Sequence, residues 1–125
     1  MTLDEFMTRV IDEGIQGARV SYAKKPAWLK GSVAGFEACR GKRPVELKVL
    51  LDEAHKATHD AFADVGRSHG SDDYWEVRHY ELQVEWVCNC VSAVLMNQGL
   101  PVIVPPTARG VMRAAEVLEG CRLDA

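Results

Sequence analysis

Between Trp86 and Ala108 the chain runs for 23 consecutive residues without an Asp, Glu, Lys or Arg. Its 15 basic and 18 acidic side chains all fall elsewhere. Such a block must cross a bilayer, fill a core or lie at an interface. A spanning helix needs about 20 unbroken, mainly apolar residues. Here the apolar run from Trp86 to Met96 is interrupted by Asn89 and Ser92, and it ends at Asn97-Gln98-Gly99. Pro101, Pro105 and Pro106 follow, and each removes a backbone donor and breaks a helix. The block therefore predicts a buried segment, with no membrane association. Asp4 and Glu5 occupy the place where a signal peptide needs basic residues, so a cytoplasmic protein is expected. In that setting Cys39, Cys88, Cys90 and Cys121 read as buried or free thiols.

At 125 residues the chain has the length of a single domain, here residues 1–125. Its 47% apolar and 26% charged side chains exclude disordered, collagen-like and low-complexity classes. Punctuation predicts about five helices and almost no strand. Thr2 with Glu5 forms a capping box before Leu3, Phe6, Val10, Ile11, Ile15 and Ala18, with Gly14 and Gly17 suggesting a kink or early end. Pro26 opens a short second helix that ends near Gly41. Pro44 opens a third, striped by Leu47, Leu51, Ala54, Thr58, Ala61 and Val65 and capped by Gly66. Arg67 to Asp73 reads as a polar loop. Asp73 with Glu76 reads as a second capping box, starting the longest helix, which runs to about Asn97 and stops at Gly99. After an apolar connector from Leu100 to Pro106, Thr107 caps a last helix that closes at Gly120. The expected fold is an all-α, single-domain bundle with a long central fourth helix.

At about 100° per residue, Val77, Tyr80, Val84, Val87, Val91, Val94 and Leu95 share one face of that fourth helix. Trp75, Leu82, Trp86, Cys90 and Ala93 make a second apolar face. A helix apolar on two sides needs cover on two sides. Two of the other four helices are short, so a homodimer through this helix is expected, with Val77, Tyr80, Val84, Trp86, Val87, Val91 and Val94 in the core or at the dimer face.

Only Arg78, Glu81, Glu85, Asn89 and Ser92 interrupt the apolar surface of the fourth helix. Glu81 and Glu85 are one turn apart and repel, so a basic group such as Arg78 or Arg109, a cation or water must neutralise them. Thr107 caps a helix with Arg109 in its first turn, a combination that suits an anion. These residues (Arg78, Glu81, Glu85, Asn89, Thr107 and Arg109) are the candidate lining of a small-molecule pocket. Asp52, His55 and His59 share a face of the third helix and offer metal donors. Glu76 with His79, and Asp52 with His55, resemble the paired ligands of di-iron carboxylate bundles, with Glu37 and Glu116 as further partners. Clustered acids around Asp52, Glu53, Glu81 and Glu85 slightly resemble the Mg²⁺ site of all-helical nucleotide pyrophosphatases, although the paired-Glu motif of that family is missing. That resemblance implies a metal-dependent hydrolase as an alternative. Cys88-x-Cys90 cannot ligate one ion, because residues two apart on a helix point about 200° apart.

Residues 24–48 carry seven basic and two acidic side chains, with Trp28 among them. This offers an accessory nucleic-acid contact as a further alternative. Overall acidity and the lack of a helix-turn-helix pattern argue against a dedicated DNA binder.

In its segments GSVAGFEACRGK and WVCNCVSAVLMNQGLPVIVPPTARGVMRAAEVL the chain resembles small orphan proteins of bacterial mobile gene cassettes, the integron-borne kind. The resemblance implies a compact bacterial cytoplasmic protein, often oligomeric, and transfers no site. Together these readings favour a homodimeric binding module over an enzyme. A small molecule or protein partner is expected, and no cofactor beyond a candidate divalent cation.

Overall fold

The computed structural model describes residues 1–64, 71–119 and 121–124. Among them are five helices and no strand: α1 (Leu3–Ser21), α2 (Pro26–Cys39), α3 (Pro44–Asp64), α4 (Asp72–Asn97) and α5 (Ala108–Leu118). The all-α architecture and the long fourth helix are as the periodicity predicts. No described helix is long and apolar enough to cross a membrane.

Two helix ends differ from the sequence reading. α1 continues unbroken to Ser21 despite Gly14 and Gly17. The ring of Phe36 on α2 lies where a Cβ on Gly14 would stand, so that glycine makes room for a neighbour and does not end the helix. α4 begins one residue before Asp73, capped by Ser71, whose hydroxyl accepts from Tyr74 N at 3.3 Å. Asp72 and Asp73 lie instead in the first turn, where their charge suits the helix dipole. α2 ends at Cys39, and Gly41 takes a φ of +73° just beyond it. The caps expected at Gly66 and Gly120, with most of the loop after Gly66, lie outside the described residues.

α4 ends as expected. Gly99 sits at φ +70°, Gly99 N donates to Met96 O, and Leu100 N reaches back to Leu95 O at 2.9 Å. That pair of bonds is a Schellman closure, which requires the left-handed residue that glycine supplies without strain.

α4 is the axis of the molecule: α2, α3, α5 and α1 all pack against it, α2 most extensively. Gly31 and Gly35 explain that order. They lie one turn apart on α2, and a Cβ at Gly35 would come within 2.6 Å of Tyr80 O, while one at Gly31 would collide with Glu76 O. The two backbones touch because these positions carry no side chain. α3 lies on another side, where Leu47 and Leu51 are buried and Cys88 Sγ donates to Leu47 O. α5 approaches through Gly110, where an added Cβ would stand 2.9 Å from Asn89 Cβ. One apolar cluster joins residues of all five helices.

This arrangement changes the argument for a dimer through α4. Val84, Val87, Val91 and Val94 are buried, and so are Cys90 and Ala93 of the second apolar face. The chain's own helices cover both sides from Val87 to Leu95, because α5 and the connector close the side that four helices seemed too few to reach. Val77, Tyr80 and Trp86 are only partly covered.

Candidate functional site

Four of the charged candidates come together where α3 meets the polar strip of α4. The Glu81 carboxylate is nearly buried, at 7% exposure, and the Arg78 guanidinium donates to it. His55 Nε2 of α3 stands 3.9 Å from Glu81 Oε2 and 3.9 Å from Glu85 Oε2. Arg78 thus meets the like-charge problem posed by Glu81 and Glu85 from one turn along the helix, and the His55 imidazole stands across from both carboxylates. Arg109 takes no part. Glu85 and His55 are about half exposed, so the cluster opens to solvent on one side.

The remaining metal candidates disperse. Asp52 pairs with Lys48 at 2.9 Å. His59 is 82% exposed, with Asp60 beside it at 3.6 Å. Glu76 turns outward to Lys30, 3.3 Å away, while His79, three residues on, turns inward. Among the described residues no group of three or more His, Cys, Asp or Glu is placed to hold a metal ion. The Glu-x-x-His spacing is present, but its two members serve different neighbours.

Asn89, Thr107 and Ser92 are spent on the chain's own backbone. Asn89 Oδ1 accepts from Thr107 N at 3.1 Å, and its Nδ2 donates to Glu85 O at 3.0 Å. Ser92 Oγ accepts from Ile103 N and Val104 N, at 3.1 and 3.2 Å. Thr107 Oγ1 accepts from Gly110 N at 3.0 Å, which is the expected cap. A proline-stiffened connector cannot pair its own amides, so α4 supplies acceptors from its buried face. That is why polar residues interrupt the charge-free block. Arg109 is exposed, and no described group pairs with it.

The thiols on α4 are closed off. Cys88 and Cys90 are fully buried, and burial pushes both up to about 12; Cys39 is raised as well, for the same reason. None of the three is a thiolate nucleophile near neutral pH. The basic segment is partly neutralised. Arg40 bonds Glu37 and Asp12, Arg43 bonds Glu46, Lys48 and Lys30 have carboxylate partners, and Lys25 Nζ lies 3.6 Å over the Trp28 ring.

Two features escaped the sequence reading. The first is an aromatic nest where the turn after α1 meets the start of α4. His79 stacks on Trp28 with centroids 4.4 Å apart, and Tyr22 meets it edge-on at 5.0 Å. Trp75 packs beside Trp28 at 5.3 Å. His79 Nδ1 is buried without a hydrogen-bond partner, and its pKa is lowered by desolvation, with Arg78 and Lys25 adding to the effect. Trp75 and His79 are one turn apart in sequence, but Tyr22 and Trp28 join them only through the tertiary fold.

The second feature is a groove at the other end of α4. Leu3, Leu95, Leu100 and Leu123 line it together with Gln98 and Asp124, enclosing about 600 Å³. It exists because the described C-terminal segment folds back on the start of α1, where Asp124 N donates to Met1 O at 2.8 Å. A pocket beside the fourth helix was expected near Arg78 to Asn89, whereas this groove lies past the end of that strip. Compared with known proteins, the chain matches no family model, no curated protein and no solved structure.

Proposed function

We propose that the protein acts by binding, as a homodimeric helical module whose ligand site is the leucine-lined groove at the C-terminal end of α4. The groove carries this reading. Its volume falls within the range of small-molecule sites, about 300–1,000 Å³, and its walls are four leucines with one amide and one carboxylate. That lining suits a small apolar or amphipathic molecule that presents a hydrogen-bond donor to Asp124 or Gln98. The polar groups of α4 support binding over catalysis: Asn89 and Ser92 hold the connector, Glu81 is taken by Arg78, and the buried thiols are protonated.

The neutral fluorescent probe N-phenyl-1-naphthylamine, an apolar aromatic amine with one N–H donor, tests the site. Saturable binding to the folded protein is expected, weakened about tenfold by Leu100→Lys, which sets a charge on the groove wall. Val20→Lys, at an 81% exposed position on α1, should leave binding unchanged. Binding that does not saturate, or that Leu100→Lys leaves intact, would overturn the assignment.

A further inference from the structure

We propose that two copies of this chain pair antiparallel through the outward face of α5, about a two-fold axis near Met112; this rests on the homodimer part of the reading above. The inner face of α5 places Gly110, Ala114 and Val117 against the body of the protein. Its outer face carries Ala108, Val111, Met112 and Ala115, all exposed, with Met112 at 64% and Val111 at 41%. At about 100° per residue these four fall within one stripe about 100° wide. Two alanines beside a methionine and a valine give a flat apolar strip that a second helix can approach closely.

The charges say what covers it. Arg109 stands in the first turn of α5, Glu116 in the last turn, and Glu119 just beyond it. This is the reverse of what the helix dipole favours, and the reverse of α1, which has Asp4 and Glu5 at its start and Arg19 at its end. Arg109 and Glu119 have no partner among the described residues, and Glu116 has only Arg113, at 2.9 Å. Arg109 and Glu116 both lie on the same flank of the apolar stripe, about 90–110° from its centre. A two-fold axis perpendicular to the plane of a helix pair keeps that flank on the same side and reverses its direction. Arg109 of one copy then stands beside Glu116 of the other, twice over, and each reversed helix end meets the opposite end of its mate. A parallel pair would send the two charged flanks to opposite sides and gain nothing from them. The stripe is therefore self-complementary in one orientation only.

α5 is about 16 Å long and well short of the roughly 800 Å² per partner of a standard interface, so a dissociation constant in the micromolar range is expected. Analytical ultracentrifugation from about 5 to 500 µM reads it directly. Wild-type protein should show a concentration-dependent dimer. Met112→Asp, which places two like charges at the axis, should weaken it at least about 100-fold. Arg109→Glu should weaken it about tenfold, and the swapped pair Arg109→Glu/Glu116→Arg should restore it, an outcome that a folding defect would not produce. In a Cys121→Ser background with copper-phenanthroline as the oxidant, Met112→Cys should form an interchain disulfide, and Val20→Cys should not. A dimer that survives Met112→Asp, or that Val45→Asp on α3 dissociates in its place, would overturn the α5 pairing and leave the homodimer reading standing. Monomer alone across the whole range would overturn both.

Discussion

Glycine has opposite meanings at neighbouring positions of this chain. Gly17 faces open space within α1, so nothing opposes a methyl group there. Gly17→Ala should raise stability by about 0.5–1 kcal/mol through helix propensity and a stiffer unfolded chain. Gly31 has the Glu76 carbonyl where its Cβ would go, and backbone cannot move aside as a side-chain tip can. Gly31→Ala should therefore lower stability by about 1–3 kcal/mol despite the same propensity gain. Thermal unfolding of the two variants checks both, with opposite shifts of midpoint expected. His79 gives a second test at this scale. Its folded-state pKa is lowered by desolvation, so the native state holds fewer protons there than the unfolded chain. The stability it contributes is full above about pH 6.5, the ordinary histidine value, and is lost as pH falls below it. Urea unfolding from pH 8 to pH 5 should show that loss. His79→Phe, which keeps a ring against Trp28 and removes the titration, should flatten the slope.

The connector shows that an element without its own hydrogen bonds must borrow them. Ser92 accepts two connector amides, and Asn89 accepts a third while donating back along α4. Ser92→Ala leaves two part-buried N–H groups without an acceptor, at a cost of about 1–3 kcal/mol. The change should appear as lower urea stability together with faster proteolysis between Gly99 and Thr107. Loss of stability without that local opening would mean the serine acts elsewhere. The same reasoning limits what α4 can do chemically. Its polar strip divides at Glu85, with connector anchors toward the C-terminus and the cluster of Arg78, Glu81 and His55 toward the N-terminus.

For the whole molecule, the position of α4 decides which groups meet solvent. Cys39, Cys88 and Cys90 are buried, and only Cys121 is partly open. A thiol reagent at pH 8 should therefore modify one cysteine of the native protein quickly and the other three only on unfolding; fast reaction of a second thiol would contradict this packing. The same burial moves the search for a partner away from α4. With its two apolar faces covered from Val87 to Leu95, the large apolar side chains left exposed include Met96, Leu100, Val102 and Met112. These four belong to the end of α4, the connector or α5; Val20 on α1 and Val45, Val49 and Phe62 on α3 are exposed as well.

Much of the fold was legible in the sequence because it depends on local rules. Thr2 and Thr107 as caps, Pro26 and Pro44 as first helical residues, Gly99 as the stop of α4, and the valine face of that helix all act within one or two turns. The charge-free block itself announced burial, since no charge can sit where Val87 to Leu95 lie without a partner. Tertiary structure alone decided what the exceptions were for. Whether Asn89 and Ser92 bind a ligand or the chain's own amides depends on where a connector some 10 to 20 residues away runs. Whether Gly31 weakens a helix or admits another depends on the backbone of α4. Whether His79 joins Glu76 or Trp28 depends on which side of α4 the turn after α1 covers. Spacing places side chains on the faces of one helix, and only packing decides what each face meets.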